Sequence, residues 1–348
     1  MAVAVLLCTY QGGPYLGELL RSLASQTRPA DAVYIQDDHS TDDTVAIAQE
    51  FCNTQQLPVF LRINQARLGS RDNFLTALEW CAHDLTASDF IAVCDQDDYW
   101  LPDKLEICAH QLAQLANQHQ SPPKLLVHSA TVADSELRPL RRPLWPKFRA
   151  NKFVLPRSGH PWEVYPGFAM VLSAGIMQTI GSDWRERPRS IVSADRMSHD
   201  EFLEFLAFST DGFATVAEPL VLYRQHRGNV AGAPDRSPSS RMRGVNVEGN
   251  LSYSYLADLA RDRADYCRNM KHPASQLAMQ YWSRVGETCS LRARLYNSST
   301  GRLGRARIAY QLSRMGYALA SGSGRPWAAF LKDLTIGILM NRSVDPGT

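Results

Sequence analysis

The first 120 residues alternate short apolar runs with stripes of apolar residues at helical spacing, and that alternation leaves few folds open. Residues 2–8 (AVAVLLC) are continuously apolar and stop at Gln11-Gly12-Gly13-Pro14. Such a run reads as a parallel strand buried on both faces. Leu16, Leu19, Leu20 and Leu23 follow at helical spacing. The pattern then recurs, with strands at 32–36, 59–63 and 90–94. Between and after them come a helix over Ser40 to Phe51, a stripe of Phe74, Ala77, Leu78 and Cys81, and a helix opened by Pro102 that carries Leu105, Cys108, Leu112 and Leu115. Strand–helix alternation of this length predicts an α/β fold, a doubly wound, mostly parallel sheet flanked by helices. In such sheets ligands bind beyond the carboxyl ends of the strands. The segments after residues 8, 36, 63 and 94 are therefore the ones that matter.

Further along, 125–133 and 169–173 read as strands, with the Pro/Arg/Trp-rich stretch 138–166 between them as long loops. A helix follows His199-Asp200, and a strand lies in 213–224. Residues 233–246 are turn-rich and polar, a linker, and Leu251 to Met340 is mostly helical in pattern. The 348 residues allow two domains, and the 21% charged fraction excludes a disordered chain. A net charge of +2 conceals an asymmetry: residues 1–222 carry −9 and residues 223–348 carry +11. The basic half is expected to meet something anionic. The seven cysteines form no CxxC pair. Cys8, Cys81, Cys94 and Cys108 sit among apolar residues, as small buried hydrophobes of a reducing compartment do. Apolar stretches stay below the ~18 residues of a membrane-spanning helix. No basic-then-apolar leader is visible, so the expected location is the cytoplasm.

Four constellations carry chemistry. Asp37-Asp38-His39-Ser40-Thr41-Asp42 directly follows the second strand. Asp38 could there accept from the N3–H of a pyrimidine, while Ser40 and Thr41 could cap the next helix. Asp95-Gln96-Asp97-Asp98 directly follows the fourth strand. Three carboxylates within four residues repel one another unless a cation is present, and carboxylates plus substrate phosphates are the usual way to hold Mg²⁺ or Mn²⁺. Ser198-His199-Asp200-Glu201 opens an apolar helix. An acid there can be an ordinary cap, or Asp200 can be a general base. Tyr223-Arg224-Gln225-His226-Arg227-Gly228-Asn229 ends a strand and is dense in donors. Arg224 or His226 could stabilise charge on a diphosphate leaving group. A zinc pair of His199 with His226 has no further support in the spacing. GxxxxGK[ST], GxGxxG and GxSxG are all absent.

Taken together these residues resemble family 2 glycosyltransferases, inverting enzymes of the GT-A fold. The resemblance rests on Leu7-Cys8-Thr9-Tyr10-Gln11, Ser22-Leu23 with Gln26, Asp37 to Asp42, Asn64 with Gly69-Ser70-Arg71-Asp72-Asn73-Phe74, Asp95-Gln96-Asp97-Asp98, and Pro102-Asp103-Lys104-Leu105. The His-Asp helix start with the later Tyr-Arg-Gln-His is similar to bacterial rhamnosyltransferase-like members. The resemblance implies a GT-A domain over 1–232, with a nucleotide-binding half (1–120) and an acceptor half (121–232), followed by the linker and a basic helical extension over 247–348. It implies that Thr9, Tyr10 and Asp38 hold the base, that Arg71 lies near base or diphosphate, that Asp95 faces the ribose and that Asp97 ligates Mg²⁺ or Mn²⁺. It further implies that Asp200 is the base and that Trp162 to Met170 line the acceptor side. Relatives often carry aromatics after the His-Asp pair. Here Glu201 and Phe202 follow, which admits Glu201 as a rival base.

The implied activity is transfer of a sugar, with rhamnose the leading guess, from a dTDP- or UDP-sugar to a glycan or lipid-linked glycan in bacterial surface polysaccharide (lipopolysaccharide) synthesis. A nucleotidyltransferase is disfavoured because the loop after strand one lacks Lys and Arg. A non-catalytic glycan-binding or membrane-docking relative is disfavoured by the intact Asp38, Asp97 and Asp200. The segment 301–340 combines arginines with Ile308, Leu312, Met315, Tyr317 and the run Trp327 to Met340. It reads either as a peripheral contact with the anionic inner face of the cell membrane or as a helical cap on the core. No nucleic-acid module is visible.

Overall fold

The computed structural model describes residues 1–177, 181–191, 195–229, 253–297, 300–315 and Asp333. The proposed linker at 233–246 and most of the segment after residue 315 lie outside the described residues. The described chain forms two compact units. The first holds Met1–Pro156, Val164–Arg185 and the chain from Met197 to the end of the last strand. The second holds Arg157–Glu163, Glu186–Arg196 and the helices after residue 252, and so draws two short segments from inside the stretch 1–232.

The first unit is built on one sheet. Its strands are β1 (Val3–Thr9), β2 (Ala32–Asp37), β3 (Val59–Ile63), β4 (Phe90–Cys94), β5 (Tyr99–Trp100), β6 (Leu125–Ala133), β7 (Pro139–Leu144), β8 (Lys152–Val154), β9 (Met170–Ser173) and β10 (Phe213–Arg224). The order is β3-β2-β1-β4-β9-β6-β10-β5, with β7 on β6 and β8 on β10. β1, β2, β3 and β4 run parallel, as do β6 and β10. β9 lies antiparallel between β4 and β6 and joins the two parallel blocks. The helices α1 (Gly13–Ala24), α2 (Thr44–Thr54), α3 (Ser70–His83), α4 (Lys104–Gln118) and α5 (His199–Ser209) cover the sheet. The apolar stripes found in the sequence face inward: Leu16, Leu19, Leu20, Leu23, Phe74, Leu78, Leu105 and Leu112 are all buried. Each such side chain stabilises the fold by roughly 1.5–3 kcal/mol. β1 and β4 are buried along their whole length, whereas the edge strand β3 is mostly open.

Two local expectations are corrected. The stretch 138–166 is not all loop, because β7 and β8 form within it. They are short strands at the sheet margin that begin or sit beside prolines, so they lack the apolar alternation of a half-buried strand. Ser40 and Thr41 do not cap α2, which starts at Thr44 after Asp43 without a side-chain cap bond. Ser40 instead donates to Asp37, through its N–H at 2.7 Å and its hydroxyl at 2.6 Å.

Asp89 ties the start of β1 to the turn before β4. It accepts from Ala2 N–H at 2.7 Å and from the Thr86 hydroxyl and N–H at 2.7 and 3.0 Å. Burial alone would raise this carboxyl, but these donors and the N-terminal ammonium outweigh it and hold it below its ordinary value. A folded pKa below the unfolded one gives stability that is present above about pH 4 and lost as pH falls through the folded pKa. Asp89→Asn is therefore expected to cost about 1–2 kcal/mol at pH 7, allowing for solvent screening, and much less at pH 3, as urea unfolding at the two pH values will show.

The second unit contains α6 (Tyr253–Asn269), α7 (Ser275–Tyr296) and α8 (Arg302–Met315). Arg263, 1% exposed, donates to Pro161 O at 2.8 Å and lies over the rings of Trp162 and Trp282. Leu291 and Leu295 of α7 pack on Ile308 and Leu312 of α8. Among the described residues no helix is long and apolar enough to cross a membrane.

Candidate active site at the strand ends

The loops leaving β1, β2, β4 and β10 form the site, because parallel strands deliver their following residues to one edge of the sheet. The loop after β2 is organised by Asp37, fully buried, which accepts from the hydroxyls of Thr9 (2.8 Å) and Ser40. Thr9 is itself 1% exposed, so its side chain shapes the site from beneath and does not face a ligand. Asp38 is equally enclosed. Its Oδ1 accepts from Leu68 N–H at 2.7 Å and Asn64 Nδ2 at 2.9 Å, and its Oδ2 accepts from Gly69 N–H at 2.8 Å. Gly69 has φ +84°, a left-handed conformation that glycine adopts without strain, and this turns the loop back onto Asp38. In this structure Asp38 anchors the loop ahead of α3.

Tyr10 is held by a residue the sequence reading passed over. Gln96 accepts from Tyr10 N–H at 2.7 Å and donates to Tyr10 O at 2.9 Å, so one amide bridges the β1 loop and the acidic turn. A Cβ on Gly12 would meet the Gln96 side chain, so a larger residue there would have to displace that amide. The Tyr10 ring carries the Arg67 guanidinium 4.0 Å from its centroid. Arg71 sits half-buried in the first turn of α3.

The acidic turn is electrostatically crowded. Burial, then Asp97 and Asp200, push the Asp95 carboxyl up to about 8, with Lys104 opposing. Asp95 thus senses both Asp97, its near neighbour, and Asp200, which arrives from α5. Asp98 is fully buried and pushed well above its usual range, chiefly by burial. Its Oδ1 accepts from Arg224 N–H at 3.0 Å, and its Oδ2 has no hydrogen-bond partner among the described residues. Lys104, also fully buried, donates to Phe168 O at 3.0 Å and lies 3.4 Å from the centre of the Trp100 ring. Burial pulls its ammonium down to about 8. The sequence marked Lys104 only as part of a motif, since nothing in its neighbours shows that α4 turns it inward.

Asp97 and His226 meet across the site, Oδ2 to Nε2 at 2.9 Å. Gly228 N–H donates to His226 Nδ1 at 3.1 Å, which leaves the proton of the neutral ring on Nε2, facing Asp97. The ring rests on Tyr15, centroids 4.5 Å apart. Through its Nε2–H, His226 orients the Asp97 carboxylate, a hard oxygen ligand of the kind that Mg²⁺ or Mn²⁺ takes together with phosphate and water. Among the described residues no group of three or more His, Cys, Asp or Glu side chains is arranged around one point. The donor set suits a shared site of this kind and not a closed protein cage.

Arg224 is placed as a brace, a correction to its expected contact with a diphosphate. Its side chain is 3% exposed and its guanidinium donates to Asp97 O (2.7 Å), Ser135 O (2.5 Å) and Glu18 Oε2 (2.5 Å). Trp162 belongs to the second unit, where it packs against Trp282 and Arg263.

Asp200 opens α5 behind the N-cap Ser198. Its Oδ1 accepts from the Ser198 hydroxyl and from Glu201 N–H (2.8 Å), while its Oδ2 has no partner among the described residues. One oxygen is clamped and the other is available. The rival base Glu201 is 1% exposed, so it points into the core. His199 stacks on Phe74 of α3, centroids 3.9 Å apart at 13°, which fixes the start of α5.

The family described as Glycosyl transferase family 2 matches residues 4–123. A dTDP-rhamnosyl transferase of Shigella flexneri, RfbG, is 31% identical over 102 residues, 29% of this chain and 34% of that protein. The chain thus matches about a third of the length of that relative. Among solved structures, S. aureus TarS 1-349 superposes with a TM-score of 0.53 at 14% identity, covering 97% of this chain and 81% of TarS. The same protein in complex with UDP-GlcNAc gives 0.52 at 15%, covering 90% and 92%. At these identities the structures speak for the fold, which is of the GT-A class. The likeness to glycosyl transferase family 2 is carried by residues 4–123, about a third of the chain, on that fold.

Proposed function

We propose that this chain is an inverting, metal-dependent glycosyltransferase that moves a sugar from a nucleoside-diphosphate donor to a hydroxyl of a glycan or lipid-linked glycan. The observation that carries the reading is the convergence of Asp95, Asp97 and Asp200 at the strand ends, with Asp200 Oδ2 open. Asp200 takes the proton of the acceptor hydroxyl. The acceptor oxygen attacks the anomeric carbon from the face opposite the diphosphate, and the bond from that carbon to the diphosphate oxygen breaks. Mg²⁺ or Mn²⁺, held by Asp97 together with the diphosphate, would neutralise the leaving charge, with His226 orienting the Asp97 carboxylate. Tyr10 offers a ring for the base, Thr9 and Asp38 hold the loops around it, Arg71 lies toward base or diphosphate, and Asp95 takes the ribose side. The 31% identity over 102 residues with a protein named as a dTDP-rhamnosyl transferase supports a dTDP-sugar, rhamnose first, with UDP-sugars as the competing class. The pathway is bacterial surface polysaccharide synthesis, on the cytoplasmic side of the membrane.

The test is a thermal-shift series with dTDP- and UDP-sugars, with and without Mn²⁺. A donor at about a hundred times its Kd stabilises the native state by about 2.7 kcal/mol, which raises Tm by about 5–10 °C. The Mn²⁺-dependent part of that rise is expected to vanish in Asp97→Ala. A folded sample that responds to no donor in either condition sinks the transferase reading and favours a glycan-binding relative.

A further inference from the structure

The second unit carries a feature that the site chemistry does not use. Helix α8 buries one face, Ile308 and Leu312, against α7. Its outward face is unusual in holding large apolar side chains in the open: Leu303 is 83% exposed and Tyr310 is 64% exposed. Leu303, Arg307, Tyr310 and Arg314 follow at intervals of four, three and four residues, so they line one stripe of the helix. Arg302 stands at its start, and α8 contains no acid. Around it the charge is one-sided: from 288 to 332 the sequence holds eight arginines and lysines and not one acidic residue. Arg305 is accounted for, since it caps the end of α7 by donating to Thr300 O and Asn297 O. Arg302, Arg307 and Arg314 make no ion pair among the described residues. Arg314 and Arg294, with Leu291, Met315 and the acid Glu287, also line a cavity of about 480 Å³ between α7 and α8.

Cations without an acidic partner among the described residues, one of them (Arg314) 6.0 Å from the Tyr310 ring centre, beside exposed leucine and tyrosine complement a surface that is anionic at its face and apolar just beneath. We propose that the outward face of α8 is a docking surface for an anionic lipid membrane. Leu303 and Tyr310 enter the headgroup boundary, Arg302 and Arg307 meet lipid phosphates, and the cavity between Arg294 and Arg314 takes a headgroup. This surface is independent of the chemistry at the strand ends, so the proposal stands or falls separately from the transferase reading.

The experiment is co-sedimentation of the full chain with vesicles of phosphatidylcholine alone and with 30% phosphatidylglycerol, at low and high salt. Binding is expected only to the phosphatidylglycerol vesicles and to weaken with salt. The triple change Arg302→Glu, Arg307→Glu, Arg314→Glu is expected to lower partitioning by roughly a hundredfold. Leu303→Ser with Tyr310→Ser is expected to lower it at least tenfold. This second variant is uncharged, and its circular dichroism and Tm confirm folding should the first prove unstable. No binding to anionic vesicles overturns the proposal. So does binding that both variants leave unchanged, or binding of nucleic acid but not vesicles through the same arginines.

Discussion

Asp200→Asn is expected to lower kcat for sugar transfer by about 10²–10⁴, with donor KM within about twofold of wild type. Asparagine keeps an acceptor for the Ser198 hydroxyl and Glu201 N–H, so the start of α5 stays in place. What it loses is the second oxygen that takes the proton. Donor binding, which lies toward Asp95 and Asp97, should persist, and the Mn²⁺-dependent thermal shift should survive. Release of nucleoside diphosphate in single turnovers measures the effect. Glu201→Gln should act through stability, since that side chain is buried. If Asp200→Asn keeps activity within tenfold while Glu201→Gln loses it at unchanged Tm, the two acids have been assigned the wrong way round.

Arg224→Ala is expected to destabilise the first unit by about 3 kcal/mol, a fall in Tm of about 6–12 °C. The loss comes mainly from leaving the carbonyls of Asp97 and Ser135 without their donor. Glu18→Ala removes the third partner, whose side chain is 40% exposed, and should cost less than about 1 kcal/mol. Because Arg224 Nε holds the carbonyl of Asp97 itself, the metal-dependent donor shift should weaken together with stability. The opposite pattern, full stability with donor binding lost, would mean that the guanidinium reaches the diphosphate, as the strand-end position first suggests.

The strand ends were legible because their signals are local. A carboxylate immediately after an apolar run sits at the end of a buried strand, so local sequence alone places Asp38, Asp95, Asp97 and Asp98. Glu201 could not be separated from Asp200 in this way. Both occupy the first turn of α5, and only the direction in which that turn packs sends one inward and leaves the other half-buried. Gln96 gave no signal either, because its two bonds to Tyr10 span 86 residues of sequence.

The sequence by itself determined the alternation of strands and helices, the edge at which the site forms, and the acids available there. Apolar periodicity and strand-end position depend only on near neighbours, and near neighbours are written in order. The tertiary structure alone decided the division of labour among the polar residues. It made Arg224 a brace and Asp38 a loop anchor, set His226 against Asp97, and buried Lys104 beside Trp100. Those roles depend on which acceptors and charges approach from other elements, and on whether water reaches them, and neither is a property of local sequence.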